Sequence, residues 1–247
     1  MAKNASIIAV KVLDAKGRGG NDDILAGLDF VARQHEERKN QPGFKGSVIS
    51  MSLGSETVSR ALDNAVINAS KAGIHVSVAA GNAGQNACNS SPGLASSESS
   101  VISVGAIDIN DQRAGFSNNG QCVTTYAPGV GIVSTFIDPA DPANGRNNII
   151  NDLDGTSMAC PHVSGLIAYY VGKFPELSQD TKGMKDLIVS SSEKVDSLAN
   201  IPGDPAIVVT NLGQITSASM LDGTQGKGKV QKFQFPSLRR RSAAPAA

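Results

Sequence analysis

Twenty-two basic residues balance 22 acidic ones in this chain of 247, so no net field attracts nucleic acid or acidic lipid. Hydrophobic residues make up 40%, and no apolar run approaches the roughly 18 residues of a membrane span, which points to a soluble globular protein with one sizeable core. No basic, apolar and small-residue leader pattern follows Met1.

Ser6 to Leu13 is rich in β-branched residues and runs into Asp14-Ala15-Lys16-Gly17, which reads as a strand meeting a turn. Asp22 to about Glu37 carries Ile24, Leu28 and Val31 at helical spacing, with Asp22 and Asp23 suited to its positive N-terminal end. His35 lies beside Glu36, Glu37 and Arg38 and is predicted to be a surface residue. Ser47 to Leu53 is a second short strand, and Val58 to Ala69 an amphipathic helix ended by Gly73. Ile74 to Ala80, Val101 to Ala106 and Val123 to Ala127 are further strands. Lys182 to Ser192 is another helix, and Ile201 to Leu212 is strand-like but weakly patterned. Near-continuous apolar strands alternating with helices predict an α/β fold: a parallel central sheet flanked by helices, in three α/β/α layers. From about 222 to 247 the chain turns to Gly-Lys repeats, then Leu238-Arg239-Arg240-Arg241 and an Ala/Pro end, a composition expected to form a disordered basic tail.

Three cysteines, Cys88, Cys122 and Cys160, lack the close pairing of a zinc site. Their odd number leaves two arrangements open, one bridge with one free thiol or three reduced buried cysteines.

The stretch Gly155-Thr156-Ser157-Met158-Ala159-Cys160-Pro161-His162-Val163-Ser164-Gly165 places small, turn-forming residues before the apolar helical spacing of Val163, Leu166, Ile167, Tyr170 and Val171. A serine at such a start meets unpaired backbone N–H groups and the positive end of the helix dipole, which favour negative charge beside its hydroxyl. Pro161 lacks an N–H and crowds the Ser157 carbonyl four residues back, so the first turn is expected to be distorted. On physics alone, an ordinary capped helix start is the simpler reading.

The Ser157 segment resembles the nucleophile segment of the subtilisin-like serine proteases. Ala79-Ala80-Gly81-Asn82 resembles the family's oxyanion-asparagine segment, and Ser50-Met51-Ser52-Leu53-Gly54 its substrate-binding strand, in the family's order. The resemblance runs from about Lys3 to about Leu212 and is greatest to the proteinase K-like, cerevisin-type fungal branch. It implies a subtilisin-like fold, with residues 1–221 forming a partial peptidase domain. Ser157 is then the acylated nucleophile, and Asn82 together with the Ser157 backbone N–H the oxyanion donors. Gly17, Arg18 and Gly19 on one side and Ser52, Leu53 and Gly54 on the other would sandwich the peptide as a β-strand. Ala79, Ala80 and Gly81 would border a pocket with room for a bulky apolar side chain.

The resemblance further implies a Cys88–Cys122 disulfide with Cys160 free, a peptide or protein substrate, a monomer, and a secreted or vacuolar location. The family's aspartate and its histidine helix correspond to positions before Met1, so the domain is expected to lack those N-terminal strands and that helix. None of His35, His75 and His162 matches the base, and the chain alone is expected to be inactive. A non-catalytic peptide-binding protein is the alternative. An α/β-hydrolase is disfavoured because no Gly-x-Ser-x-Gly elbow surrounds Ser157. Asp154 stands where relatives carry a small polar residue. A family calcium site would use carbonyls of Ser99 and Val101 and a carboxylate at the position of Thr124, and threonine there argues against calcium; no cofactor is otherwise expected.

Overall fold

Four of the apolar runs line up in chain order as parallel neighbours: β1 (Val48–Met51), β2 (His75–Ala79), β3 (Ile102–Ile107) and β4 (Thr125–Pro128). These elements come from a computed structural model of the chain, which describes residues 2–136 and 149–210. An antiparallel ribbon of β5 (Ile132–Phe136) and β6 (Ile149–Leu153) follows, apart from the main sheet. Two short strands then extend that sheet beyond β4. β8 (Ile207–Val208) lies parallel to β4, and β7 (Glu193–Lys194) lies antiparallel at the edge, giving the order β1-β2-β3-β4-β8-β7.

The helices are α1 (Asn21–Arg38), α2 (Arg60–Lys71), α3 (Ala95–Glu98), α4 (Thr156–Lys173) and α5 (Thr181–Ser191). Alternation along the strands sorts them into layers. Ile49, Met51, Val76 and Val78 point to one face, where they pack with Ile24 and Leu28 of α1 and Leu62, Val66 and Ile67 of α2. The residues between them point to α4. There the Ser164 hydroxyl donates to Ser50 Oγ at 2.9 Å and Ser77 Oγ lies 3.3 Å from the Cys160 carbonyl. Helix, sheet and helix thus form three layers, with the start of α4 beyond the carboxyl ends of β1 and β2. In open parallel sheets ligands collect at that end.

Ser6 to Leu13 departs from its predicted strand. The segment has no regular secondary structure and pairs with no strand among the described residues, and Ile7 is 92% exposed. β-branched composition favours an extended backbone, yet a strand exists only where a neighbour takes its N–H and C=O groups. Val10 and Val12 instead lie over α1, where a Cβ on Gly27 would fall 2.4 Å from Val12 Cγ1.

His35 departs as well. It is buried, with Nδ1 3.0 Å from Ser47 Oγ and its ring edge-on to Phe44. Its charged neighbours suggest exposure, but Ile24, Leu28, Val31 and His35 share one helical stripe, and that stripe faces the core. The basic tail expected from 222 to 247 and the boundary expected at 221 lie outside the described residues.

Candidate active site

Residues of the Gly155–Gly165 stretch meet the end of β1 through a gap that Pro161 opens. Pro161 sits inside α4 and has no N–H to give the Ser157 carbonyl, which would otherwise be bonded within the helix. The Ser52 hydroxyl donates to that carbonyl from 2.9 Å, and Ser157 Oγ donates to the Ser52 carbonyl at 3.4 Å. This reciprocal pair ties the helix start to the end of the strand. Ser52 is exposed and Ser157 half-buried.

The N-terminal amides of α4 are unequally used. The Thr156 N–H donates to Asn82 Oδ1 at 2.9 Å, and the Met158 and Ala159 N–H groups donate to the Gly155 carbonyl. The Ser157 N–H has no partner among the described residues. The Thr156 hydroxyl also donates to Asn82 Oδ1, at 2.8 Å. With both bonds taken by oxygen, the amide of Asn82 is oriented and its Nδ2 is left free, beside Gly155, where a Cβ would lie 3.7 Å from it. Two unspent donors therefore lie at the positive end of the 18-residue helix that carries Ser157, in the wall of the same cavity. That is an arrangement suited to an oxyanion.

Gly81 makes the approach possible. Its φ is +105°, and a Cβ there would fall 2.4 Å from Asn118 Nδ2. Asn118 in turn holds the loop, accepting the Ala83 and Gln85 N–H groups on Oδ1 and donating to the Ala80 carbonyl.

A cavity of about 240 Å³ opens beside these groups, lined by Ser52, Leu53, Gly54, Ala79, Ala80, Gly81, Asn82 and Ser157 among others. The structure thus brings together every predicted site residue from those three segments. Gly17, Arg18 and Gly19 are not in its wall. They form a turn in which Asp14 Oδ1 accepts the Lys16 and Arg18 N–H groups, at 2.8 and 2.9 Å. The segment leading to them is the one that pairs with no strand. Sequence reading missed Thr156 as the group that orients Asn82, and Ser90, Ser91 and Asn118 as walls. Thr156 lay within the motif, but its partner is 74 residues away, and no local signal marks the others.

No imidazole reaches Ser157 Oγ, although all three histidines of the chain are described. His75 Nε2 donates to the Leu177 carbonyl at 2.9 Å and His162 Nδ1 to the Met158 carbonyl at 2.8 Å. His35 is held under Phe44. His162 shares a helix with Ser157, but five residues of α-helix rotate it by about 140° to another face.

Cys88 and Cys122 are joined by a disulfide, and Cys160 is a buried free thiol whose pKa burial pushes up. Asp154 Oδ1 accepts the Gly131 N–H at 2.7 Å, so its carboxylate caps the turn before β5. The residues present do not fit calcium. Lys185 of α5 already places its ammonium 2.8 Å from the Ser99 carbonyl and 2.6 Å from that of Ser96. Thr124 Oγ1, for its part, accepts the Ser103 N–H.

Burial pushes the Lys185 ammonium down to about 8 from its ordinary 10.5. Between those values the unfolded chain binds more protons than the folded one, so the stability contributed here is complete above 10.5 and is lost as pH falls through about 8. Urea midpoints measured from neutral to strongly alkaline pH will therefore rise relative to those of Lys185→Met across that window. Parallel curves for the two proteins would contradict the assignment.

The chain belongs to the subtilase family, whose sequence profile matches residues 1–228. Cerevisin of Saccharomyces cerevisiae is 42% identical over 226 residues, covering 86% of this chain and 34% of that protein. The subtilisin-like proteinase Spm1 of Pyricularia oryzae is 45% identical over 254 residues, covering 96% of this chain and 45% of that one. Among solved structures, a cold adapted subtilisin-like serine proteinase superposes with a TM-score of 0.67 at 34% identity, covering 82% of this chain and 67% of its own. The chain spans between 34% and 61% of the length of the first curated relatives it matches. No helix among the described residues is long and apolar enough to cross a membrane.

Proposed function

We propose that this polypeptide is the nucleophile-bearing part of a serine endopeptidase that cleaves peptide bonds through an acyl-enzyme at Ser157. The carrying observation is the pair of unspent donors, Asn82 Nδ2 and the Ser157 N–H, beside a hydroxyl at a helix N-terminus and a cavity mouth. In this reading the Ser157 oxygen attacks the substrate carbonyl, and the two donors take the charge that develops on its oxygen. The peptide backbone runs along Ser52–Gly54 and a side chain enters the cavity. The hydroxyl needs a base to take its proton, and each histidine of this chain is bonded elsewhere. The base therefore comes from outside these 247 residues, and the chain by itself does not turn over substrate. That same observation favours a second reading, in which the chain binds peptides without cleaving them.

The two readings part in a fusion that joins the chain in frame behind the aspartate- and histidine-bearing segment of a fungal relative. With an activated peptide ester and an acid quench, mass spectrometry is expected to find the acyl group on the peptide containing Ser157. Hydrolysis by a folded fusion with no acyl group on that peptide, or a folded fusion with no hydrolysis at all, would overturn the endopeptidase reading.

A further inference from the structure

Nearly every polar side chain in the cavity wall is already bonded within the protein. Ser90 Oγ donates to the Ala87 carbonyl at 3.1 Å, and Ser91 Oγ accepts the Ser59 N–H at 2.8 Å. Both ends of the Asn118 amide are engaged, Ser55 Oγ pairs with Thr57, and the Thr156 hydroxyl is spent on Asn82. Asn82 Nδ2 is free, and its place in the site has been described. The other unspent group is the carboxylate of Glu56. Glu56 is the one charged residue that lines the cavity, it is exposed and so lies at the opening, and it makes no ion pair among the described residues. Only its carbonyl is used, by Gln85 Nε2 at 3.3 Å.

We infer that Glu56 is a specificity-determining residue, selecting peptides whose cavity-bound side chain is lysine or arginine. The inference rests on reading the cavity as the substrate's side-chain pocket. Walls whose polar atoms are satisfied offer no bonds deep inside, so they suit a hydrocarbon stem. A carboxylate at the opening suits a cation carried on that stem. The small residues Gly54, Ala79, Ala80 and Gly81 leave room for the chain of methylenes. An aspartate or glutamate in the same place would meet like charge. The apolar preference expected from the sequence thus gains a charged head.

Non-covalent binding tests this on the chain as it stands, without turnover. Fluorescently labelled Ala-Ala-Pro-Arg, Ala-Ala-Pro-Leu and Ala-Ala-Pro-Glu peptides are titrated at low salt against the native chain, Glu56→Gln and Glu56→Lys. The arginine peptide is expected to bind about three- to fivefold more tightly than the leucine peptide, the range of a partly exposed charge pair. That ratio falls to about one in Glu56→Gln, and also in roughly 0.5 M salt, where screening acts over a few ångströms. Glu56→Lys shifts the preference to the glutamate peptide. If the leucine peptide binds but the arginine preference is missing, or survives both substitutions, the role of Glu56 is wrong while the pocket reading stands. If no peptide binds, both fall together.

Discussion

Asn82→Ala, introduced into the fusion that supplies a histidine, will lower kcat by about 10² to 10³ with little change in KM, the loss known from removing one such donor in subtilisin itself. The reason lies in how the amide is spent. Its oxygen accepts from the Thr156 N–H and hydroxyl at 2.9 and 2.8 Å, so the nitrogen is aimed and pays no reorganisation when charge develops. A ground-state carbonyl gains little from that donor, which is why the effect belongs in kcat. Thr156→Val keeps the backbone donor and removes the hydroxyl, and should give a smaller loss of the same kind. Stopped-flow or steady-state hydrolysis of a peptide anilide measures both. A turnover for Asn82→Ala within about threefold of the parent would show that the amide does not face the developing oxyanion.

The fold was legible wherever a segment's own pattern decides its structure. Helices α1, α2, α4 and α5 and strands β1 to β4 each carry a local periodicity or apolar run that matches the layer they occupy. Ser6 to Leu13 shows the limit, because its composition favours an extended backbone but supplies no partner to pair with. The β5–β6 ribbon was missed for a related reason. Ile132–Phe136 and Ile149–Leu153 mix apolar and polar residues on an exposed ribbon, and their pairing spans a gap in sequence that no local rule bridges.

The site divides in the same way. The sequence motifs pointed to Ser157, Asn82 and the Ser52–Gly54 strand, and Pro161 already implied a freed Ser157 carbonyl. What fills that vacancy, the hydroxyl of Ser52, is 105 residues distant. The walls given by Ser90, Ser91 and Asn118 come from loops whose own bonds hide their direction. Glu56, two residues past Gly54, carries no motif of its own, and only the cavity gives it a place.

The second large effect concerns the proton acceptor that the proposed reading places outside this chain. In subtilisin, losing the nucleophile or the histidine alone costs on the order of 10⁶ in turnover, leaving roughly a thousandfold over water from the anion cradle and binding. Here Ser157 Oγ donates to a carbonyl at 3.4 Å, and a carbonyl cannot remove its proton. On the proposed reading the hydroxyl is then an ordinary alcohol beside the donors of Asn82 and the Ser157 N–H.

Treatment of the folded 247-residue chain with a fluorophosphonate, followed by mass spectrometry of the peptide containing Ser157, tests that most directly. The account predicts no phosphonylated serine in the chain alone and stoichiometric modification once it is fused to a histidine-bearing segment. Stoichiometric labelling of Ser157 in the chain alone would contradict it, since a base would then have to lie among the residues already present.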